Sequence, residues 1–230
     1  QIVFNEICFA NYNDYIISGE YEDWVELYNT SAAAVNIAGF GLSDDSTDPL
    51  KWVFPAGTSI AANGYLLVLI SGRGDYDPGY LGQLNTNFKL RQSNGEALHL
   101  SNVGGVNLET FDFSVFTPNQ RNHSWGRSPN GSNNWLIHTN PSQNASNGGT
   151  TGTSYAIRPT LDVQAGWYPG AINVNISTTE PGGIIYYTLN GSTPTNASTV
   201  YAGPININST TVLKAIVYSP DPNILPSYIE

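Results

Sequence analysis

The sequence predicts an all-β protein of two β-sandwich domains, and three observations carry that prediction. Apolar and polar residues alternate over short runs, and no 3.6-residue period is sustained anywhere. Gly and Pro, 23 and 14 of them, punctuate those runs at close intervals. At 230 residues the chain is too long for one ordinary sandwich and about right for two.

Taken in order, the predicted strands are Ile2 to Phe9, Trp24 to Tyr28, Trp52 to Phe54, Tyr65 to Ile70, Ala97 to Ser101, Ile184 to Leu189 and Val212 to Tyr218. Two further runs show the period of two plainly. Phe111, Phe113 and Val115 interleave with Thr110, Asp112 and Ser114, and Ile172, Val174 and Ile176 interleave with Asn173 and Asn175, as half-buried strands require. The stretch Asn140 to Ser154 strings together Asn, Ser, Gly and Thr with almost nothing apolar and reads as a flexible linker. It divides the chain into a first domain over 1–147, a linker over 148–157 and a smaller domain over 158–230. Asn190-Gly191 follows an apolar run and predicts a tight hairpin turn, because both residues tolerate positive φ.

Composition narrows the function. With 18 acidic against 8 basic side chains the formal net charge is -10. The field of such a chain repels a polyanion, which argues against nucleic acid as a partner. Forty per cent apolar residues and only 11% charged ones describe a globular chain with real cores. No apolar run reaches the ~18 residues of a membrane span, and no charged-then-apolar leader precedes Gln1. The chain has no methionine and reads as a piece of something longer. The single cysteine, Cys8, sits between Ile7 and Phe9 and reads as a small core residue rather than a nucleophile.

The first half carries Asn5-Glu6-Ile7, Asp23 to Asn29, Gly39 to Asp44, Trp52 to Pro55, Gly64 to Val68, Asn87 to Leu90, Gly95 to Leu98, His123 to Arg127 and Asn130 to Ser132, in that order. This ordered set resembles the lamin tail domain as it occurs in bacterial exported proteins. The end departs from it, with Pro141-Ser142-Gln143-Asn144 in place of a Pro-Gly turn and an Asn. The second half carries Tyr187-Thr188-Leu189-Asn190-Gly191-Ser192-Thr193-Pro194-Thr195, then Tyr201 to Ile205, Thr210 to Ala215 and Pro226-Ser227. This is similar to the small domain named after the C-terminal region of chitobiase and β-hexosaminidase, with Asn190 where Asp is usual. The resemblance implies two immunoglobulin-like sandwiches of accessory type and brings no hydrolytic barrel. It also implies an association with CotH kinase-like domains, which such pairs often precede.

The residues offer few chemical constellations. A metalloprotease helix, a phosphate loop, paired Cys-x-x-Cys and a Gly-x-Ser-x-Gly elbow are all missing from the sequence. His99, His123 and His138 have no i to i+4 partner and read as surface or hydrogen-bonded histidines. Glu20, Glu22, Asp23 and Glu26 are candidates for paired carboxylates or a cation site, against the reading that Asp23 to Asn29 is a structural strand. Asp44, Ser46 and Asp48 have the alternate-oxygen spacing of a calcium loop. Pro49 and Pro55 stand where an EF-hand needs Gly and Glu, which leaves only a looser calcium loop at Asp44 and Asp48 beside the reading as a polar turn. Asp75 and Asp77 are candidates of the same kind. Arg73-Gly74-Asp75 is a three-residue adhesion motif of a kind that arises by chance, and the Asn-x-Ser/Thr triplets follow from composition. Trp125, Trp135, Trp167 and Tyr168 lie near turns and are candidates for a sugar-ring platform, against the favoured reading that they pack in or cap the cores.

The expectation is a non-catalytic pair of structural and interaction modules. They belong to an exported or cell-surface bacterial protein and act as a spacer or docking unit for a downstream domain of the same polypeptide. A cell-envelope protein or polysaccharide is a further expected partner. No catalytic residue and no cofactor is expected, calcium at Asp44 and Asp48 being the alternative. The functional alternative is a carbohydrate-binding accessory module.

Overall fold

The computed structural model describes residues 1–13, 20–74, 82–91 and 96–230. Among them there is no helix of α type, and the chain divides into two compact units, Gln1–Thr151 and Gly152–Glu230.

The first unit is a sandwich whose strands run β1 (Ile2–Cys8), β2 (Trp24–Asn29), β3 (Val35–Asn36), β4 (Gly41–Ser43), β5 (Trp52–Val53), β6 (Ser59–Ile60), β7 (Tyr65–Leu69), β8 (Leu84–Asn85), β9 (Ala97–Ser101), β10 (Asn107–Asp112), β11 (Ser124–Arg127), β12 (Trp135–His138) and β13 (Thr151–Gly152). One sheet has the order β13-β12-β11-β1-β2-β7-β8 and the other the order β10-β9-β4-β5, with β3 and β6 as a separate short pair. Strand β1 lies in the middle of the larger sheet and is buried along its whole length, and so its side chains read as a continuous run rather than an alternation. Leu98 and Phe111 are buried between exposed or half-buried neighbours, as the alternation expects, but β10 ends at Asp112 and Val115, predicted to continue the buried face, is 74% exposed. Rings join the layers: Phe9 lies edge-on to Phe113 at 4.7 Å, and Phe111 of β10 meets Trp135 of β12 at 5.0 Å.

A β-bulge at Asn5 organises the sheet centre. Phe4 pairs with Leu27 and Glu6 with Glu26, which leaves Asn5 as the extra residue. Pairing of β1 with β11 begins only at Glu6, opposite Gly126. The backbone of Phe4 therefore finds other partners. Its N–H donates to Glu109 Oε2 at 2.7 Å, and its carbonyl accepts from Arg127 Nε at 2.6 Å. At the far end of β2, Asn29 is fully buried and donates to the carbonyls of Ala33, Ile60 and Ala61 while accepting from the Ser31 N–H. One amide thus closes the loops on both sides of β3 and β6.

The second unit holds β14 (Ser154–Tyr155), β15 (Thr160–Leu161), β16 (Ile172–Val174), β17 (Ile176–Ser177), β18 (Ile184–Thr188), β19 (Thr199–Val200), β20 (Ile205–Ile207), β21 (Lys214–Tyr218) and β22 (Ile224–Leu225). The run from Ile172 to Ser177 alternates as predicted, but it changes partner midway. β16 pairs with β20 and β17 with β15. Asn175 stands at the changeover, its N–H and its amide both donating to the Asp162 carboxylate at 2.7 and 2.6 Å. Those bonds hold the Asp162 carboxyl below the usual range. The core is Ile176, Ile205 and Ala215, ringed by half-buried side chains such as Ile185, Tyr187 and Leu213.

Three sequence expectations need correction. The tight hairpin at Asn190-Gly191 does not form: β18 pairs with β19, which begins at Thr199, and with β21. Asn190 instead makes an Asx turn, its side-chain oxygen accepting from the Ser192 N–H and hydroxyl, and Gly191 alone takes a positive φ of 77°. The strand predicted from Val212 begins at Lys214, because Val212 only bridges to Asn190 in the parallel sense. The polar stretch read as a linker from Asn140 is tied down over Ser142–Asn147, whose side chains and amides are bonded into the first unit. Composition hid this because the donors and acceptors of a buried polar network are the same residue types that fill flexible linkers.

Candidate functional site

The predicted aromatic platform separates into two kinds of residue. Trp125 is buried, donates its indole N–H to the Thr117 carbonyl at 3.0 Å and packs on Phe116. Trp135 packs edge-on against Phe111 and Phe116 and lies under the Arg127 guanidinium, 4.7 Å from ring centre to Cζ. Both make packing contacts within the first unit. Trp167 is 94% exposed, and Tyr168 beside it is fixed by a 2.6 Å bond from its hydroxyl to the Gln164 carbonyl. An indole this open is the feature of the second unit best suited to stacking on a flat ligand.

The calcium candidates hold no common cation geometry. Asp44 pairs with the Lys51 ammonium at 2.6 Å, and this pairing lifts the Lys51 pKa. The neighbouring Asp45 carboxylate accepts from the Thr47 N–H and hydroxyl, which closes an Asx turn and lowers its pKa. Among the described residues no group of three or more His, Cys, Asp or Glu is placed to hold a metal ion. Asp75 and Asp77, and with Asp75 the last residue of the Arg73-Gly74-Asp75 motif, lie outside the described residues. Arg73 itself is engaged with Glu20 and Glu22.

The acidic segment is spread over different environments. Glu22 faces Arg73 and Lys89, yet burial carries its pKa upward. Burial likewise pushes Asp23 up to about 7, against the bond it accepts from the Asn11 N–H. Glu26 is fully buried and raised to about 8, by desolvation first and by the neighbouring Glu6 carboxylate in support. His99 bonds Thr110 Oγ1 through Nδ1 at 2.9 Å, and burial lowers its pKa. His138 is buried and contacts the Gly148 carbonyl. Cys8 is in a cluster with Trp24, Leu67 and Leu69.

Sequence reasoning passed over the densest polar site in the first unit. Glu6 and Glu26 are direct partners on β1 and β2, and both are fully buried. Glu6 accepts from the Ser124 hydroxyl, the Ser142 N–H at 3.0 Å and the Ser142 hydroxyl at 2.9 Å. Glu26 accepts from Asn5 Nδ2 at 3.1 Å and from the Asn144 N–H at 2.6 Å. Asn147 completes the node, donating to the carbonyls of Asn5 and Arg127 and accepting from Asn5 Nδ2. A second buried pair, Glu109 with Arg127, seals the Phe4 backbone; burial holds Glu109 above the usual carboxylate range despite the guanidinium beside it. The one signal available was Asn5-Glu6 inside an otherwise apolar strand, since a charge there demands partners.

A hollow of about 160 Å³ lies on the outer face of the four-stranded sheet, between His99, Ser101, Asn107 and Thr110. Sites for small organic ligands run to ~300–1,000 Å³, and this one is too small and too open for such a role.

Fold and site together define a modular all-β protein of two immunoglobulin-like sandwiches, in which the buried carboxyls Glu6 and Glu26 are bonded to their own chain. Residues 1–114 match the family model Lamin Tail Domain, and residues 163–223 match the Chitobiase/beta-hexosaminidase C-terminal domain. The chain carries a lamin tail domain followed by a chitobiase/β-hexosaminidase C-terminal domain, both of types that are typically non-catalytic. No curated protein and no solved structure matches the chain. Among the described residues, no helix is long and apolar enough to cross a membrane.

Proposed function

We propose that the chain supplies structural and interaction modules to a larger exported or cell-surface protein, holding or docking a further domain of the same polypeptide. One observation carries this reading. Three acids enclosed within the first unit, Glu6, Glu26 and Glu109, are each hydrogen-bonded by the chain's own amides and side chains. A working acid needs a reacting group within hydrogen-bond reach, and here those positions are taken by Ser142, Asn144 and the Phe4 backbone. The test is a turnover screen of the purified chain over glycosidic, ester, peptide and phosphoryl substrates. The expected result is no turnover above buffer; turnover that persists through repurification and is lost in Glu26→Gln overturns the reading.

A second reading, carbohydrate binding by the second unit, is favoured by the 94% exposure of Trp167 next to the tethered Tyr168 ring. A glycan array with and without calcium tests it. Saturable binding that disappears in Trp167→Ala supports the reading, and calcium dependence would direct attention to Asp44 and Asp48. A blank array counts against it and leaves protein partners.

A further inference from the structure

We propose that the hollow on the outer face of the four-stranded sheet receives a primary ammonium group, the end of a lysine side chain carried by a partner protein. This contact rests on the reading of the chain as an interaction module and gives its partner a chemistry.

Gly41 builds the hollow. On β9, Leu98 and Leu100 face the core while His99 and Ser101 face outward, and alternation alone would leave Ser101 in solvent. Gly41 lies opposite Ser101 on β4, and a Cβ there would overlap the Pro49 carbonyl oxygen. Only glycine lets the Pro49-Leu50 backbone lie across the sheet at this point, and Ser101 is fully buried. The far wall is the β9–β10 turn. Asn102 fixes it by accepting from the Gly104 and Val106 N–H groups, and it brings Gly105 against the Pro49 ring. The enclosed space of about 160 Å³ equals about five water molecules. That suits the end of one side chain entering through an open mouth.

The polar groups lining this space are left able to accept. Ser101 Oγ finds no hydrogen-bond partner among the described residues. The Asn107 amide sets the protons of its neighbours. Its nitrogen belongs toward the Leu100 and Glu109 carbonyls, at 3.3 and 2.9 Å, and its oxygen then takes the Thr110 hydroxyl proton at 3.1 Å. Thr110 Oγ1 in turn accepts from His99 Nδ1–H at 2.9 Å. Nε2 of the neutral His99 ring is therefore an acceptor, and burial, which lowers the His99 pKa, favours that neutral form.

The field around these acceptors is negative. Asp44, Asp45 and Asp112 bear on the His99 ring, and Asp48 belongs to the same segment as Pro49. The cation of that segment, Lys51, is already engaged with Asp44. An anion is repelled from such a place. Calcium wants several carboxylates at once, and among the described residues it finds no such group. An ammonium carries three donors, no acceptor and a positive charge, which is the complement of what the hollow presents. Pro49 and Gly105 offer its methylenes an apolar ledge.

The experiment is a titration of the whole chain with Nα-acetyl-lysine methylamide, read by ¹H–¹⁵N NMR at neutral pH and constant ionic strength. The amides of Ser101, Gly105 and Thr110 are expected to shift together and saturate, and the same probe acetylated at Nε is expected to leave them in place. Ser101→Ala is expected to weaken binding about fivefold or more while melting no lower than wild type, because the hydroxyl it removes has no partner to lose. Asp45→Asn keeps the acceptor for Thr47 and removes a charge, and is expected to weaken binding as well. Shifts that never saturate, equal binding of the acetylated probe, tighter binding of the arginine analogue, or unchanged affinity in both variants overturns the site. Its loss leaves the module reading standing, because turnover tests that reading separately.

Discussion

The two units solve the same architectural problem by different means. The first buries large rings, Phe4, Trp24, Phe54 and Phe111 among them, and with them buries charge: Glu6, Glu26 and Arg127, the last paired with a half-buried Glu109. The second buries a single carboxylate, Glu180, which accepts from the Ile157 N–H, and keeps its other carboxylates near solvent, as in the Asp162 grip on Asn175, around a core of Ile176, Ile205 and Ala215. Size accounts for much of the difference. A unit of roughly 80 residues buries too small a share of its surface to carry uncompensated polar groups, whereas one of about 150 can enclose a polar network if every member is bonded. Stability in the first unit should therefore respond to broken polar pairs, and in the second to lost methyl groups.

The sharpest way to break that contrast is Arg127→Met. It leaves Glu109 buried without its cation and removes the donor to the Phe4 carbonyl, and is expected to cost about 3–5 kcal/mol in urea unfolding of the first unit. A loss under ~1 kcal/mol would mean that the buried pair is idle. In the second unit, Ile205→Ala is expected to cost about 2–4 kcal/mol, enough to unfold a small domain with little reserve, as read by near-ultraviolet circular dichroism. Next comes Asn29→Ala, which strands the carbonyls of Ala33, Ile60 and Ala61 and is expected to cost about 2–3 kcal/mol. The smallest effect belongs to Trp167→Ala, within about 0.5 kcal/mol of wild type by thermal melting, because an indole this exposed contributes almost no burial.

Much of the fold could be read from the chain, for physical reasons that the particular strands make clear. Strands β2, β7 and β9 carry dense apolar runs between turn residues, and the predicted bounds fall within a residue of Trp24–Asn29, Tyr65–Leu69 and Ala97–Ser101. The alternation of Asn173 and Asn175 with Ile172, Val174 and Ile176 is matched residue for residue by burial. The change of sheet partner at Asn175 was not legible, because it depends on Asp162, which pattern alone does not connect to it. The site was harder still. Glu6 meets Ser142, and Asn5 meets Asn147, across more than a hundred residues of chain, so no local period announces them. Trp125 and Trp167 sit near similar turn residues in the sequence, yet one fills a core and the other stands in solvent.

The central claim, that the buried acids of the first unit are structural, has a direct test in the pH dependence of stability. Glu26 is raised from 4.5 to about 8 and Asp23 from 3.8 to about 7. The folded chain therefore holds protons that the unfolded chain gives up, and stability declines between those limits as pH rises. For Glu26 alone the full decline is at most roughly 5 kcal/mol, at ~1.4 kcal/mol per pH unit. Asp45, Asp112 and Asp162 have lowered values and act in the opposite sense, but only in more acidic solution. Urea unfolding of wild type and Glu26→Gln at pH 5.5, 7 and 8 isolates the effect. The account predicts that the wild-type first unit weakens across that range and that the variant weakens less, with the difference between the two accumulating from pH 5.5 to 8 while the share from Asp23 is common to both. A wild-type chain as stable at pH 8 as at pH 5.5 would contradict it.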